Sequence, residues 1–265
     1  SKVPLLYTQN LRREFGGVVA VSDVSIEIFK NTITGIIGPN GAGKTTLFNT
    51  ITGLDYPTGG FVFFKGEDIT PLPAYQITRK GIARTFQNIR LFREMTVFEN
   101  VMIGRHFRGN HPKFTSNKYL NFIMGRIFVA REERDIYFNS LKWLEFFDLL
   151  NVRDEYAKNL PYGKQRELEI ARALATEPDM LFLDEPAAGM NPNEIDDLIA
   201  LIKEIKEKFS LTVLLIEHHM NVVMTIADRI KVLDFGQTIA EGIPEEIQKN
   251  PKVIEAYLGG GHKEC

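Results

Sequence analysis

The sequence predicts an α/β fold built around a parallel sheet. Two short apolar runs, Met180 to Leu183 and Val213 to Ile216, flank a segment that places Ile195, Leu198, Ile199, Ile202 and Ile205 on one helical face. A third apolar run ends at Ile37, and a glycine-rich turn follows it directly. Strands without polar alternation belong to sheets covered on both faces, and the order strand, helix, strand is that of a parallel arrangement.

In chain order, β-branched runs separated by turn signals predict strands at Val24 to Ile28, Thr32 to Ile37, Phe61 to Phe64 and Ile82 to Phe86. From Asn88 to Asn159 the texture becomes longer and more aromatic. Tyr137, Leu141 and Leu144 stand at helical spacing, with Trp143, Phe147 and Leu150 close by. This predicts an inserted helical subdomain over 88–159, its aromatics mostly core. The core is then 1–87 with 160–240, and 241–265 forms a C-terminal segment. No long linker and no internal period divides the chain, so one interrupted domain is expected.

Composition narrows the function. The 265 residues are 44% hydrophobic and 25% charged, within the globular range, with a formal charge of −2. That balance argues against a sequence-blind binder of nucleic acid. The single cysteine, Cys265, cannot pair within the chain and rules out a cysteine-rich zinc site. Apolar runs stop far short of the ~18 residues of a membrane span, and the amino terminus lacks a signal-peptide pattern. A chain that neither crosses a membrane nor is secreted is expected.

The sharpest signal is Gly38-Pro-Asn-Gly-Ala-Gly-Lys-Thr45, which satisfies G-x-x-x-x-G-K-[ST] between a strand and a helix. Gly38, Gly41 and Gly43 let the backbone wrap around phosphate, so that N–H groups and a helix start face the anion. With Pro39, Asn40, Ala42 and Thr46 they form the expected nucleotide cradle. Lys44 is placed to charge-stabilise the β- and γ-phosphates, and the Thr45 hydroxyl to ligate Mg²⁺.

The strand at Met180 ends in Asp184-Glu185, at the carboxyl edge where open α/β sheets bind ligands. Asp184 suits the Mg²⁺ shell, and Glu185 suits a base for the water attacking the γ-phosphate. An acidic pair merely ending a strand in solvent would look the same in isolation. The strand at Val213 ends in Glu217-His218-His219. His218 is a candidate to contact the γ-phosphate and orient that water, with a surface histidine as the alternative. Consecutive side chains on a strand point to opposite faces, which makes His218 and His219 poor joint ligands of one metal. His106, His111 and His262 lie in polar surroundings and are expected to be solvated.

The phosphate loop, Gln87, Leu160-Pro-Tyr-Gly-Lys-Gln165, Met180 to Glu185 and His218 occur in an order that resembles the nucleotide-binding subunits of ATP-binding cassette (ABC) transporters, over essentially the full chain. Asp184-Glu-Pro-Ala-Ala-Gly-Met-Asn-Pro192, Phe92-Arg-Glu-Met-Thr96 and Tyr257-Leu-Gly259 resemble the ATPase subunits of branched-chain amino acid importers. The resemblance implies a P-loop fold with a RecA-like core, an antiparallel β subdomain and an inserted helical subdomain. It implies ATP and Mg²⁺ as ligands and a head-to-tail dimer, two copies of this chain or a mixed pair, in which each loop faces the other subunit's Gly163 segment. That segment opens a helix faced by Leu168, Ala171, Leu174 and Ala175, whose amino terminus can meet a γ-phosphate. By the same resemblance Gln87 reaches Mg²⁺ and water, and Phe15 stacks on adenine, with Tyr7 as the alternative platform.

Two departures from the family pattern stand out. Pro161, Tyr162 and Lys164 replace the usual serine, glycine and glutamine, removing a hydroxyl contact and favouring a mixed pair; Lys164 then either meets the partner's ATP or is a solvated helix-start residue. Asn191 stands where aspartate is common, and Asn191, Pro192 and Glu194 form a well-signalled helix start. The implied partners are a second ATP-binding subunit, membrane permease subunits docking along Ile89 to Val97, and, indirectly, a periplasmic or extracellular binding protein. The implied location is cytoplasmic, on the inner face of the cell membrane. The alternatives are a soluble ABC ATPase acting on nucleic acid or ribosomes, and a non-hydrolytic module in which nucleotide only drives association.

Overall fold

A computed structural model describes residues 3–106 and 133–258. Phe107, His111, Gly259, His262 and Cys265 lie outside the described residues, as does the His106 side chain. The chain forms two compact units, one from 1–87 with 179–265, the other 88–178.

The first unit opens with β1 (Leu6–Phe15), β2 (Val18–Val24), β3 (Glu27–Ile28) and β4 (Ile33–Ile37), followed by α1 (Lys44–Ile51), β5 (Gly59–Phe64), β6 (Glu67–Asp68), α2 (Ala74–Lys80) and β7 (Ile82–Arg84). β1, β2, β3, β5 and β6 build an antiparallel sheet in the order β2-β1-β5-β6, with β3 also on β1. The strand expected over Val24 to Ile28 is broken. The Thr8 hydroxyl donates to the Val24 carbonyl and accepts from the Ile26 amide, inserting a side chain where the ladder would continue.

The second unit holds α3 (Val97–His106), α4 (described over 133–146) and α5 (Tyr162–Leu174). It runs beyond the boundary expected at 159 because α5 packs along α3: a Cβ on Gly104 would lie 2.2 Å from the Arg172 carbonyl. Phe147 is buried, Trp143 and Phe146 are half-buried, and Tyr137 and Phe138 are exposed, so the aromatics here are less fully core than composition suggests.

The first unit resumes with β8 (Met180–Asp184), α6 (Pro192–Phe209), β9 (Thr212–Ile216), α7 (Met220–Ile226), β10 (Arg229–Asp234), β11 (Gln237–Gly242), α8 (Pro244–Gln248) and α9 (Pro251–Leu258). Its main sheet has the order β11-β10-β4-β9-β8-β7, parallel except for β11. Every residue of β4, β8 and β9 is buried, as uninterrupted apolar strands require. Phe48 of α1 meets Phe182 of β8 edge-on, with centroids 5.0 Å apart, tying the helix after the glycine turn to the strand that carries Asp184.

α6 begins as its sequence predicts. The Asn191 side chain accepts from the Asn193 and Glu194 amides at 3.0 and 3.1 Å, and the Asn191 amide donates back to Glu194 Oε2 at 2.9 Å. Asn191→Ala should therefore lower unfolding free energy by about 1 kcal/mol, read as a shifted urea midpoint at unchanged slope.

Candidate functional site

The loop between β4 and α1 is shaped by what lies behind it. Gly43 has φ +94°, and a Cβ there would sit 2.2 Å from the Ala20 carbonyl of β2. Gly38 is hemmed in as tightly by the Leu233 carbonyl of β10, also 2.2 Å from a built Cβ. The Gly236 amide donates to the Ala42 carbonyl at 2.9 Å. Two neighbouring strands and the turn that follows β10 thus hold the loop from outside, and its positive-φ glycines turn the backbone inward. Gly41, at φ +81°, has nothing within 4 Å of a built Cβ, so its need is conformational alone. Asn40, Gly41 and Thr45 are exposed, whereas Gly38 and Ala42 are buried.

Lys44 is 6% exposed, and its ammonium donates to the carbonyls of Gly38 at 2.7 Å and Pro39 at 3.0 Å. Burial pushes its pKa down, while the carboxylates of Glu185 and Asp184 pull it up. Glycine cradle, lysine and carboxylates therefore share one electrostatic site.

Asp184 ends β8 and is buried. Its Oδ2 accepts from Arg84 Nη2 at 2.7 Å, and Arg84 Nη1 donates to Asn49 Oδ1 and Thr52 Oγ1 at 2.7 and 3.0 Å. Asp184 Oδ1 is buried with no hydrogen-bond partner. A buried carboxylate oxygen left over beside a phosphate loop suits a hard cation, so the donors present fit Mg²⁺.

Glu185 has φ +46°, a left-handed conformation uncommon for a residue with a side chain and concentrated at functional sites. Gln87 Nε2 donates to Glu185 Oε2 at 2.7 Å, and His218 Nδ1 lies 3.5 Å from the same oxygen. Three polar groups from the ends of β7, β8 and β9 thus converge on one point. An amide, a carboxylate and an imidazole so arranged can orient a water and take its proton.

His218 and His219 lie beyond β9, which ends at Ile216, so the strand geometry that would set them on opposite faces does not apply. Their rings are 4.3 Å apart and tilted by 38°. Fully buried Glu217 organises them. Its carboxylate accepts from the amides of Ala187, His218 and His219 and lies 3.1 Å from His219 Nδ1.

Phe15 ends β1, 43% exposed, with the Arg13 guanidinium 4.3 Å from its ring centre. Tyr7 is stacked on Phe63 at 4.7 Å and is half-buried, so Phe15 is the more exposed ring of the two, with Arg13 over one face. In the second unit, α5 starts at Tyr162 with Pro161 as N-cap, so Gly163 lies inside the first turn rather than before it. Lys164 pairs with Glu167 at 2.8 Å.

Residues 21–188 match the family described as ABC transporter. The chain belongs to the ABC transporter family. Residues 237–263 also match a family described as branched-chain amino acid ATP-binding cassette transporter. The chain is 45% identical over 256 residues to the high-affinity branched-chain amino acid transport ATP-binding protein BraF of Pseudomonas aeruginosa, covering 97% of this chain and 98% of that protein. Identity and coverage are the same for LivG of Escherichia coli K12, which carries the same description. A crystal structure of the ADP conformation of an ATP-binding cassette superposes with TM-score 0.82 at 38% identity, covering 97% of this chain and 99% of that one. A nucleotide-free cassette gives TM-score 0.81 at 37% identity, covering 96% and 98%. As an ABC transporter ATPase, the chain binds and hydrolyses ATP. Among the described residues no helix is long and apolar enough to cross a membrane.

Sequence reasoning missed Arg84 and Glu217. Both carried a visible signal, a charge embedded in or directly following an apolar strand at the sheet's carboxyl edge. Arg84→Met leaves Asp184 buried without its cation and should lower unfolding free energy by about 3 kcal/mol or more, measured by urea denaturation.

Proposed function

We propose that this chain powers an importer of branched-chain or other hydrophobic amino acids, with Glu185 as the base of its ATPase site. The observation that carries the site assignment is the convergence of Gln87 and His218 on Glu185 Oε2, on the same sheet edge as Lys44. The cradle from Gly38, Pro39, Asn40, Gly41, Ala42 and Gly43 to Thr46 receives the phosphates on backbone N–H groups and the start of α1. Lys44 exchanges its two carbonyl partners for phosphate oxygens. Thr45, Asp184 and Gln87 hold Mg²⁺, which neutralises charge on the phosphates when bound. Glu185 takes the proton of the attacking water, and His218 positions that water. Phe15 stacks on the adenine.

The relatives named for branched-chain amino acid transport, and the match over 237–263, support the substrate class. They also displace the alternative of an ATPase acting on nucleic acid or ribosomes. Two such subunits close around ATP, each presenting its Gly163 turn to the other's nucleotide. Within the second unit, Phe92, Met95 and Tyr156 are exposed on adjoining backbone, where the Ala157 amide donates to the Met95 carbonyl and Thr96 pairs with Tyr156. An apolar patch of this kind suits a permease segment, and supports a place on the cytoplasmic face of the membrane. The amino acid reaches the permease from an external binding protein and never touches this chain.

Glu185→Gln should lower ATP turnover ~10²-fold or more while ATP still binds, measured by phosphate release and nucleotide titration. Near-normal turnover would remove Glu185 from the mechanism. Because burial lowers the Lys44 pKa, its charge is lost at lower pH than an ordinary lysine's, and ATP affinity should fall as pH rises through that lowered value. Glu185→Gln removes an influence that raises this pKa, so the alkaline fall-off should begin at lower pH in that variant.

A further inference from the structure

The sheet edge also holds a buried carboxylate with no direct part in hydrolysis. Glu217 follows β9 immediately and is fully excluded from solvent. Burying an acid is costly unless its oxygens are hydrogen-bonded, and both oxygens of Glu217 are. Oε1 accepts from the Ala187 amide at 2.8 Å. Oε2 accepts from the amides of His218 and His219, each at 3.1 Å, and lies 3.1 Å from His219 Nδ1. One carboxylate therefore spans two turns: the one after β9, which carries His218, and the one after β8, which begins at Glu185.

Both turns need such a tie. Glu185 holds φ +46°, a conformation that persists only where its surroundings impose it. The Glu185 amide donates to the Ile216 carbonyl at 2.9 Å, which fixes the start of its turn. Two residues on, buried Ala187 is fixed by Glu217. His218 lies past the end of β9 and before α7, so its backbone is oriented by the bond to Glu217 and not by a strand ladder. The 3.5 Å from His218 Nδ1 to Glu185 Oε2 is thus a distance between two turns that share one anchor.

We infer that Glu217 is a positioning residue for ATP hydrolysis: by holding the Ala187 and His218 amides on its two oxygens, it sets the approach of His218 to Glu185. Glutamine has the same shape, but an amide nitrogen that only donates replaces one acceptor, so one turn can be held and not both. A small misplacement of groups that act together slows the chemical step. ATP affinity is spared, because the hydrogen-bond partners of the Glu217 side chain among the described residues lie outside 38–46. The inference rests on the reading of Glu185 as base and His218 as positioner of the water.

The test is a double-mutant cycle on the full chain: Glu217→Gln, His218→Ala and the two together, each measured for phosphate release at saturating Mg·ATP and for ATP affinity by nucleotide titration. Glu217→Gln is expected to lower kcat about ten- to a hundredfold and to leave ATP affinity within about twofold. The loss in the double variant should fall well short of the product of the two single losses, because both act on one approach. Should Glu217→Gln fail to fold, Glu217→Asp, which keeps both acceptors on a shorter arm, goes through the same cycle with the same expectation. Normal kcat in the folded Glu217 variant, a loss of ATP affinity as large as the loss in kcat, or single losses that multiply in the double variant each overturn this inference alone. Unchanged turnover in His218→Ala overturns the reading of His218 and this inference with it.

Discussion

The site depends on the parallel register of three strands. Ile36 of β4 lies opposite Ile216 of β9, and Ile216 lies opposite Asp184 of β8. The chain therefore leaves all three strands at one level, and Gly38, Glu185 and Glu217 emerge beside one another. A slip of one residue in any of them would send every side chain to the other face, and the close packing of both buried faces resists it. Glu217 fixes the same register above the sheet. Accepting from the Ala187 amide and from the two histidine amides, it ties the turn after β8 to the turn after β9.

Packing alone does not explain the charges gathered there. A buried ion pair such as Arg84 with Asp184 loses in desolvation much of what it gains in attraction, so it is weak evidence of stabilisation. Its geometry tells more. Arg84 occupies Asp184 Oδ2 and anchors to Asn49 and Thr52 at the end of α1, which leaves Oδ1 aimed elsewhere with no partner. The pair orients one carboxylate oxygen by satisfying the other. Glu185 follows in a left-handed conformation, and that strain turns its carboxylate toward Gln87 and His218 instead of letting it continue the strand. Desolvation of Lys44 belongs to the same economy of charge, because an ammonium poorly hydrated by its surroundings gains more from an arriving phosphate.

Local features of this arrangement were legible in the sequence, and non-local ones were not. The phosphate loop, the α6 cap and the apolar strands β4, β8 and β9 depend on neighbours within a few residues, so spacing alone reveals them. The loop's glycines give the backbone freedom to wrap phosphate, yet two of them answer equally to carbonyls at Ala20 and Leu233, which no local pattern encodes. β1 escaped notice because register shifts around Leu11 to Glu14 break its alternation of buried and exposed residues. Arg84 and Asp184 are separated by a hundred positions, and only the β7–β8 pairing makes them partners. The helical unit's far boundary was missed for a related reason: the motif around Gly163 reads as nucleotide chemistry, while the helix that carries it packs along α3.

That helix shows how an altered motif keeps its structure. Tyr162, standing where the family usually has glycine, receives a bond from Arg166 Nη2 at 3.3 Å. Arg166 pairs with Glu169 at 2.8 Å, both side chains essentially excluded from solvent, and Glu169 Oε1 accepts from the Arg90 amide at 3.1 Å. A continuous polar chain thus runs inside the second unit from the first turn of α5 to the segment entering the unit at 88. Buried charges are rigid because each lost bond leaves an uncompensated group, so displacement at Arg90 is resisted at Tyr162 as well. Lys164, by contrast, is held among the described residues only by a partly exposed pair with Glu167, and such a pair costs little to break. The substitutions at this turn therefore divide the work: Tyr162 is braced against movement, and Lys164 is left able to move.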